Sequence, residues 1–491
     1  MRSILAIDQG TTGTTVMVVA DDGRVLSRAY REVTQYYPSP GWVEHDAEEI
    51  FTGACSAARE AIAASGTVPE AIGITNQRET LVLWEQATGH PVHNAIVWQD
   101  RRTADRCRAL DADQIARITG LVPDSYFSAT KLEWLLQQGA MRSRAWDGEL
   151  LAGTIDSWLI WKLTNGAVHA TDPTNASRTM LYDIDARGWN DDLLALFDVP
   201  RHLLPSVRPS SGDFGTAAAQ HLGVALPIRG VAGDQQAALF GQGGYEPGAS
   251  KNTYGTGAFL LTNTGSTRPS SSGGMLVTLA CDGNGRACYA LEAAIFIAGA
   301  AVQWLRDGLG IIGGSAETEA LARSLPGNDG VYFVPALTGM GAPHWESNAR
   351  GTIVGLTRGT TRAHLARAAL EAMAFGTADV LGAMQRSSGR TIARLRVDGG
   401  ATANDWLMQL QADVLGVPVE RPDNVESTAM GAAGLAGIAS GVWADGEAFQ
   451  SARRFTLFAP GTDREGITAD HAGWQRAVRA ALAWARDSGA A

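Results

Sequence analysis

The sequence predicts an α/β fold made of two related domains with a ligand cleft between them. Two short segments rich in Gly and Thr, at 10–14 and 255–257, each follow a strand-like run and lie about half a chain apart. A length of 491 residues suits two large domains. The Gly-rich segment 241–248 forms a predicted turn before the second set of strands. We therefore expect domains at 1–243 and 244–491, related by duplication, with the ligand at their junction.

The first half alternates apolar strands with amphipathic helices. Strands are predicted at 3–7 and 15–20, on either side of the first Gly/Thr loop. Residues 48–64 carry apolar side chains at helical spacing. The remaining predicted elements are strands at 71–75, 80–84 and 228–232, a helix at 128–138 and a helix that starts at 235–240. This order is typical of an α/β domain.

The second half repeats the order of strand, Gly/Thr loop and strand, at 250–254 and 258–262. The apolar run at 291–305 predicts a helix. The other predicted elements are helices at 363–385, 404–415 and 470–486 and a strand at 395–397. The two halves share their order of elements without a residue-level repeat, which indicates an old duplication.

Composition excludes several classes of protein. The chain is 45% hydrophobic and 19% charged, as expected for a globular protein. Its net charge of -11 argues against sequence-independent binding of nucleic acid, which depends on Lys and Arg. Only Lys131, Lys162 and Lys251 are lysines, and none stands in a Walker A motif. A site for ATP would therefore need a fold other than the P-loop type.

Nothing in the sequence predicts a membrane segment or a metal centre built by the protein alone. The longest apolar stretch, 293–302, is much shorter than the roughly 20 residues that cross a bilayer. Asp8 interrupts the N-terminal apolar run too early for a signal peptide. The four cysteines lack metal-ligand spacing and no HExxH motif occurs. We expect free thiols, no membrane insertion and a cytoplasmic protein.

The first Gly/Thr loop has the residue types of a phosphate-binding loop. Gly10, Thr11, Thr12 and Gly13 offer backbone N–H groups and hydroxyls to an anion, and Asp8 stands where it can face a metal ion bound to phosphate. An ordinary Asp/Gly hairpin turn is the alternative, and the number of hydroxyls favours the phosphate loop. The segment 255–257 is weak by itself and gains meaning as the counterpart of this loop.

Other motifs leave two interpretations open. Gly399-Gly400 before Asn404 lets a ligand approach the backbone, or forms a tight turn with Asn404 as helix N-cap. Asp234 follows a strand at the edge where α/β active sites gather, or caps a helix. The polar clusters at 77–80 and 98–102 suit hydroxyl groups, or form a solvated ion-pair network. The GxGxxG at 308–313 follows a predicted helix and not a strand, so we do not expect a dinucleotide site there.

Taken together, these segments resemble the FGGY carbohydrate kinases, and most closely the members of that family that act on glycerol. The resemblance runs nearly from end to end. It rests on the stretches 7–12, 40–46, 73–80, 94–99, 174–180 and 232–241, and on two family signature regions at 126–138 and 351–371.

The resemblance implies an actin-like ATPase fold, with two duplicated ribonuclease H-like domains and with Mg²⁺-ATP and glycerol in the cleft. It implies that Asp234 is the catalytic base and that Asp8, together with Asp234, faces Mg²⁺. The implied glycerol-binding residues are Arg78, Glu79, Trp98, Tyr126, Asp234, Gln235 and Phe259. The implied nucleotide-binding residues are Thr11, Thr12, Gly13, Thr256, Gly257, Gly299, Gln303, Gly400 and Asn404.

Two further expectations come from the same resemblance. The implied reaction is ATP-dependent phosphorylation of glycerol to sn-glycerol 3-phosphate, by a homodimer or a homotetramer. The segment 216–228 lacks the Gly-rich, cationic loop with which some bacterial members bind fructose 1,6-bisphosphate, and Thr15 replaces an Arg that often follows the first loop. We therefore expect weak inhibition or none by that bisphosphate.

Two alternatives remain. A kinase for another polyol or a ketose would keep the fold, although related ketose kinases carry other residues at 76–79. A nucleotide-switched binding protein, such as a filament subunit or a chaperone ATPase, would not need Arg78, Glu79, Trp98 and Asp234 to converge. Dependence of ATP turnover on glycerol separates these alternatives.

Overall fold

A computed structural model describes residues 1–270 and 274–487. These residues form one six-stranded sheet, one seven-stranded sheet and several smaller sheets, with helices packed against them. Short 3₁₀ turns occur at Arg201–Leu203 and Gly400–Ala403, and a π-helical turn occurs at Trp304–Gly308.

The strands are β1 (Ser3–Gln9), β2 (Gly13–Ala20), β3 (Val25–Glu32), β4 (Glu44–His45), β5 (Ala71–Asn76), β6 (Leu81–Glu85), β7 (Ala95–Ile96), β8 (Leu150–Thr154), β9 (Ala170–Thr171), β10 (Tyr182–Asp183), β11 (Gly188–Trp189), β12 (Ser206–Val207), β13 (Thr216–Ala217), β14 (Leu226–Gly233), β15 (Ser250–Tyr254), β16 (Ala258–Gly265), β17 (Leu276–Cys281), β18 (Ala287–Ile295), β19 (Tyr332–Val334), β20 (Thr352–Val354), β21 (Leu395–Asp398), β22 (Val419–Pro422) and β23 (Phe455–Phe458).

The helices are α1 (Ala47–Ser65), α2 (Ala104–Arg108), α3 (Ala112–Thr119), α4 (Ser128–Leu136), α5 (Met141–Trp146), α6 (Ile155–Leu163), α7 (Pro173–Ala176), α8 (Asp191–Leu196), α9 (Ala219–Leu222), α10 (Asp234–Gly241), α11 (Gly299–Gln303), α12 (Glu317–Arg323), α13 (Arg362–Ser388), α14 (Asp405–Leu415), α15 (Ser427–Ala439), α16 (Gly446–Ser451) and α17 (Arg464–Asp487).

The sheet of the first half has the strand order β13-β14-β5-β1-β2-β3. Strands β1, β2 and β3 form an antiparallel meander, whereas β5 and β14 run parallel to β1. Every residue of β2 and β5 is buried, because α1 packs on one face of the sheet and α15 on the other. Since parallel strands end at one edge, the residues that follow β1, β5 and β14 lie close together.

The sheet of the second half repeats this arrangement. Its strand order is β17-β18-β16-β15-β21-β22-β23, with β15, β16 and β18 antiparallel and with β21 and β22 parallel to β15. The first Gly/Thr loop joins β1 to β2, and the second joins β15 to β16. The predicted α/β fold with two related halves is therefore confirmed.

Two helices lie where the two halves meet. The helix α15 belongs to the second half in sequence but packs on β1, β5 and β14 of the first, and it also packs against α10. The approach is close because small residues face each other: a Cβ on Gly73 would lie 2.1 Å from the Ala432 carbonyl oxygen, and one on Gly431 would lie 1.8 Å from the Ala237 carbonyl oxygen. Glycine at these positions is what allows the two backbones to approach.

The predicted helix at 291–305 is wrong over most of its length. Residues up to Ile295 belong to β18, and helical structure begins only at Gly299. The strand β18 lies between β16 and β17 in the sheet, and its residues 288–293 are buried on both faces. A strand buried on both faces gives a continuous apolar run that periodicity alone does not distinguish from a helix.

The other long predicted helices are observed. Those predicted at 48–64, 363–385 and 470–486 extend beyond the prediction, whereas those predicted at 128–138 and 404–415 are slightly shorter. The helix α1 begins at the N-cap Asp46 and ends at Gly66 in the left-handed conformation. The C-terminal helix α17 starts at Arg464 and buries the apolar side that the sequence predicts, including Trp474 and Val478. Within the two described ranges, no helix has the length and apolar composition needed to cross a bilayer.

Candidate active site

The first Gly/Thr loop forms a tight, open-ended turn between β1 and β2. Thr11 and Thr12 lie at its tip, and the amide of Gly10 donates to the carbonyl of Gly13 at 2.9 Å. A Cβ on Gly13 would lie 2.4 Å from the Tyr30 hydroxyl, so only glycine fits there. The loop therefore presents its two threonines at one edge of the sheet.

Asp8 is the last but one residue of β1, at the entrance of this loop. Burial raises the pKa of Asp8 to about 8, and the negative charges of Asp234 and Glu426 act in the same direction. No hydrogen-bond donor or cationic side chain offsets this among the causes of the shift. A cation near Asp8 would stabilise the ionised carboxylate.

Arg78 and Glu79 follow β5, where the chain turns sharply. Glu79 has a φ of 62°, a left-handed conformation that is uncommon for a residue with a side chain. The Ser128 hydroxyl at the start of α4 donates to the Glu79 carbonyl at 3.0 Å and so helps to hold this conformation. Strained backbone of this kind tends to occur at functional sites.

Asp234 is the first residue of α10, directly after β14. Its Oδ1 accepts a hydrogen bond from the Gln235 amide at 2.7 Å and lies 3.1 Å from the Arg78 Nε. The Asp234 side chain is 31% exposed, whereas that of Glu79 is 1% exposed. Of the two carboxylates, Asp234 is therefore the more accessible.

Aromatic side chains border this group. The rings of Trp98 and Tyr126 pack edge to face with centroids 5.4 Å apart. The Trp98 Nε1 donates to the Thr11 hydroxyl at 2.9 Å, and an Arg78 nitrogen donates to the Tyr126 hydroxyl at 3.4 Å. Phe259, partly buried on β16, lies in register with Ala294 beside the second loop, without a ring contact to Trp98 or Tyr126 among the described interactions.

A second group of predicted residues lines a cavity of about 530 Å³ in the second half. The second loop mirrors the first, since the Gly255 amide donates to the Gly257 carbonyl at 2.8 Å. Gly257 itself does not line the cavity. The predicted residues that do are Thr256, Gly299, Gln303, Gly400 and Asn404. Asn404 is also the N-cap of α14, which confirms one of its two interpretations, and its place in the cavity wall is compatible with the other.

Two charged residues that sequence reasoning missed complete the site. The Glu292 carboxylate binds Arg78 at 2.6 and 3.0 Å, and Arg178 binds Glu79 at 2.6 Å. Arg178 stands in a stretch that carries the resemblance, but no role followed from it. Glu292 lies in the apolar run 291–305 that predicts a helix. A single acidic residue within that run is the signal that could have identified it.

Lys251 is a third missed residue, on β15 of the second half. Its ammonium group donates to the Gln235 side-chain oxygen and, at 2.7 Å, to the Thr253 hydroxyl. Burial lowers the pKa of Lys251 to about 8, although Asp398 and Asp234 act in the opposite direction. Through Gln235, this lysine connects the second sheet to the residue next to Asp234.

A magnesium ion suits the carboxylates present. Within residues 1–270 and 274–487, no cluster of three or more His, Cys, Asp or Glu side chains could hold a metal ion by itself. Mg²⁺ commonly uses one or two carboxylates and completes its coordination with water and substrate phosphates. The negative charge of Asp234 contributes to the raised pKa of Asp8, and Asp8 lies beside a loop of phosphate-binding type, so this pair of carboxylates fits that pattern.

The geometry brings together six of the seven residues predicted to bind the substrate. Arg78, Glu79, Trp98, Tyr126, Asp234 and Gln235 form one connected group in the first half. This group can bind vicinal hydroxyls and accept a proton, while the second half provides a cavity between a Gly/Thr loop and a helix N-terminus. Such a pair of sites suits transfer of a group from a ligand in one half to a ligand in the other.

Comparison with known proteins identifies the family. The profile of the FGGY family of carbohydrate kinases, N-terminal domain, matches residues 3–241, and that of its C-terminal domain matches residues 250–440. The chain is similar to glycerol kinase from Halorhodospira halophila, with 53% identity over 99% of this chain and 98% of the relative. It is 52% identical to glycerol kinase 2 from Thermotoga maritima, over 99% of both chains.

Solved structures agree with this assignment. The crystal structure of Plasmodium falciparum glycerol kinase with ADP superposes with a TM-score of 0.93 at 35% identity, over 98% of both chains. Xylulose kinase from Rhodospirillum rubrum superposes with a TM-score of 0.88 at 24% identity, over 99% of this chain and 100% of the other. The second likeness supports the fold alone.

Proposed function

The chain belongs to the FGGY family of carbohydrate kinases, and from that membership we propose that it transfers the terminal phosphoryl group of ATP to glycerol. The proposed reaction is ATP-dependent phosphorylation of glycerol, and its product is sn-glycerol 3-phosphate. The observation that best supports this proposal is the position of Asp234. Its carboxylate is partly exposed, lies 3.1 Å from Arg78 and stands next to residues suited to hydroxyl groups. Two relatives that match nearly the full chain at 52–53% identity are glycerol kinases.

Asp234 is the proposed general base. It accepts the proton of the terminal glycerol hydroxyl as that oxygen attacks in line. Arg78, Glu79 and Tyr126 bind the other two hydroxyls and so select which end of glycerol reacts. Trp98 and Phe259 cover the carbon backbone, and Gln235 supports Asp234 through its amide.

The nucleotide occupies the cavity of the second half in this proposal. Gly299, Gln303, Gly400 and Asn404 line the part that holds the nucleoside, and Thr256 and Gly257 hold phosphate together with Thr11, Thr12 and Gly13 of the first loop. Mg²⁺ held by Asp8 and Asp234 would neutralise phosphate charge when bound. Closure of the two halves excludes water, which would otherwise compete with glycerol for the phosphoryl group.

Three finer features belong to the same proposal. We expect a homodimer or a homotetramer, which light scattering on the purified protein would measure. We also expect the enzyme to work in the cytoplasm, where ATP is supplied. A third feature is the domain boundary, which we place between residues 243 and 244 and which limited proteolysis would test.

The test is ADP release by the purified protein with Mg²⁺-ATP, with and without millimolar glycerol. Xylulose, ribulose, erythritol and dihydroxyacetone serve as competing substrates. ADP release that depends on glycerol, with glycerol 3-phosphate as product, supports the proposal. Preference for another substrate would retain the fold and overturn the assignment of Arg78, Glu79 and Trp98. Slow turnover that ignores every substrate would favour a nucleotide-switched binding protein.

A further inference from the structure

Two residues of the candidate substrate site, Arg78 and Glu79, form a closed group with two further charged side chains, Arg178 and Glu292, and the four are here named the buried charge quartet. All four are buried, with side chains no more than 3% exposed. Glu292 receives Arg78 in a two-point contact at 2.6 and 3.0 Å and lies 3.2 Å from Arg178. Arg178 in turn binds Glu79 at 2.6 Å. Each acid therefore contacts both arginines or lies within reach of them.

Glu292 is the unusual member, because its strand neighbours are apolar. On β18 it pairs with Leu261 of β16 and with Leu276 of β17. A carboxylate in such surroundings is unfavourable unless cationic partners compensate for its burial. Burial alone would raise the pKa of Glu292, but Arg178, Arg78 and Lys251 outweigh it and lower the pKa to about 2. Glu292 therefore stays ionised as the counter-ion of both arginines.

The quartet joins the two halves of the molecule. Arg78, Glu79 and Arg178 come from the first half, whereas Glu292 comes from β18, between β17 and β16 of the second sheet. The Nε of Arg78 lies 3.1 Å from Asp234, so Glu292 and Asp234 hold the same guanidinium from two sides. The position of Arg78 relative to Asp234 thus depends on a residue of the other half.

Arg178 has a matching role toward Glu79. Its guanidinium carbon lies 5.4 Å from the centre of the Tyr126 ring and 5.1 Å from that of Phe127. Its two terminal nitrogens are buried and make no hydrogen bond within the described parts of the chain, and one of them lies 3.2 Å from the Glu292 carboxylate. Without Glu292, Arg178 would lose one of its two acidic partners and keep Glu79.

We propose that Glu292 and Arg178 are positioning residues for the substrate site: Glu292 orients Arg78 across the junction of the two halves, and Arg178 orients Glu79. The inference rests on the proposed function, since it assigns the quartet to recognition of the polyol hydroxyls. On this proposal, the geometry that binds glycerol is complete only when the second half supplies Glu292.

The test compares Glu292→Gln with Glu371→Gln. Glu371 is also a buried glutamate of the second half, paired with Arg367 at 2.7 Å, and it lies outside the quartet. Glu292→Gln should lower kcat/KM for glycerol by about 100-fold, the scale of a misplaced substrate-binding group, mainly through a higher KM for glycerol. The KM for ATP should change by no more than about 2-fold.

Glu371→Gln should lower the melting temperature and leave the KM for glycerol unchanged, because it removes a buried ion pair without touching the site. Equal KM values for glycerol in the two folded variants would overturn the proposal. If Glu292→Gln does not fold, Glu292→Asp decides: its carboxylate is too short to hold both arginines, so a raised KM for glycerol supports the proposal and a wild-type KM overturns it.

Failure of the proposed function is recognised separately. If the wild-type protein does not phosphorylate glycerol, that function falls, and the same variants are compared on the substrate that the wild type does use. A KM effect confined to that hydroxyl substrate still supports the positioning role, whereas a matched change for ATP overturns it.

Discussion

Among single residues, Asp234 differs from the neighbouring acids because it is both partly exposed and paired with Arg78. Asp234→Asn should lower kcat by 100-fold or more, about the contribution of a general base, and should leave the KM for glycerol nearly unchanged. The control is Asp213→Asn, which removes an exposed carboxylate of the same half that pairs with Arg229. Steady-state kinetics of both variants test the role, and near-normal turnover of Asp234→Asn would refute it.

The titration of Asp8 gives a second prediction, on stability. Its pKa is raised from 3.8 to about 8, so the folded protein without ligands keeps a proton that the unfolded chain releases. Between these pH values the unfolded state binds fewer protons, and stability therefore falls as pH rises toward 8. Asp8→Asn removes this titration, so its melting temperature should fall less between pH 6 and pH 8 than that of the wild type.

Thermal unfolding of the ligand-free proteins at several pH values measures this difference. The difference between the variant and the wild type is the quantity of interest, because burial also raises the pKa of Asp156, to about 7. Parallel curves for the two proteins would contradict the assignment. Asp8→Asn should also lower turnover, since it removes one of the two carboxylates proposed for Mg²⁺.

Among the elements, the helix α15 depends on glycine where it meets α10. Gly431→Ala would place a methyl group 1.8 Å from the Ala237 carbonyl oxygen. The free energy of unfolding should fall by about 1–3 kcal/mol or more, as for other overpacked sites. The matched control is Gly376→Ala in α13, where the nearest atom, the Ile295 Cδ1, lies 3.8 Å away. Alanine there should be neutral or stabilising by about 0.5–1 kcal/mol.

Urea denaturation of the two glycine variants gives both free energies. The prediction requires that Gly431→Ala lowers the free energy of unfolding and that Gly376→Ala leaves it unchanged or raises it, although both replace glycine by alanine inside a helix. A loss of stability of equal size in both variants would mean that helix propensity or main-chain entropy, and not the contact between α10 and α15, determines the outcome.

The segment from β13 to β14 carries the prediction on regulation. It folds as β13, α9 and the start of β14, and residues 216–228 contain no Arg or Lys. The adjacent Arg229 is paired with Asp213 at 3.0 Å. A doubly phosphorylated sugar would find no cluster of cations there. Millimolar fructose 1,6-bisphosphate should leave the initial rate unchanged, and inhibition at low concentration would contradict this.

In the whole molecule, the two ligands should stabilise each other's binding. Glu292 joins the second half to Arg78 in the glycerol-binding group, and the nucleotide cavity lies in the second half. Each ligand therefore favours a particular position of the halves, which is the condition for coupling between sites. The increase in melting temperature caused by glycerol and ADP together should exceed the sum of the increases caused by each ligand alone.

Differential scanning fluorimetry at saturating ligand measures these shifts. Each ligand alone at 100 times its Kd should contribute about 2.7 kcal/mol, and the excess seen with both reports the coupling. Additive shifts would mean that the halves do not respond to each other. The excess should shrink in Glu292→Gln and persist in Glu371→Gln, which links this prediction to the buried charge quartet.

The sequence by itself determined the α/β class, the repeated order of elements and most residues of the candidate site. These features leave local signals: alternation and turn residues for strands, helical spacing for α1 and α17, and Gly/Thr loops after strands. It also determined the family, because Arg78, Glu79 and Asp234 stand in long stretches that resemble it. It gave the wrong structure for residues 291–295, since a strand buried on both faces has no distinctive period.

Only the tertiary structure decided which charges meet. Glu292 lies 214 residues from Arg78 in the chain, and Lys251 reaches Gln235 from the other sheet. Such pairs form because two sheets, built separately, are brought together by α10 and α15 through contacts between small residues. Sequence patterns report the local backbone and its buried side, whereas the partner of a buried charge is fixed by the packing of distant elements.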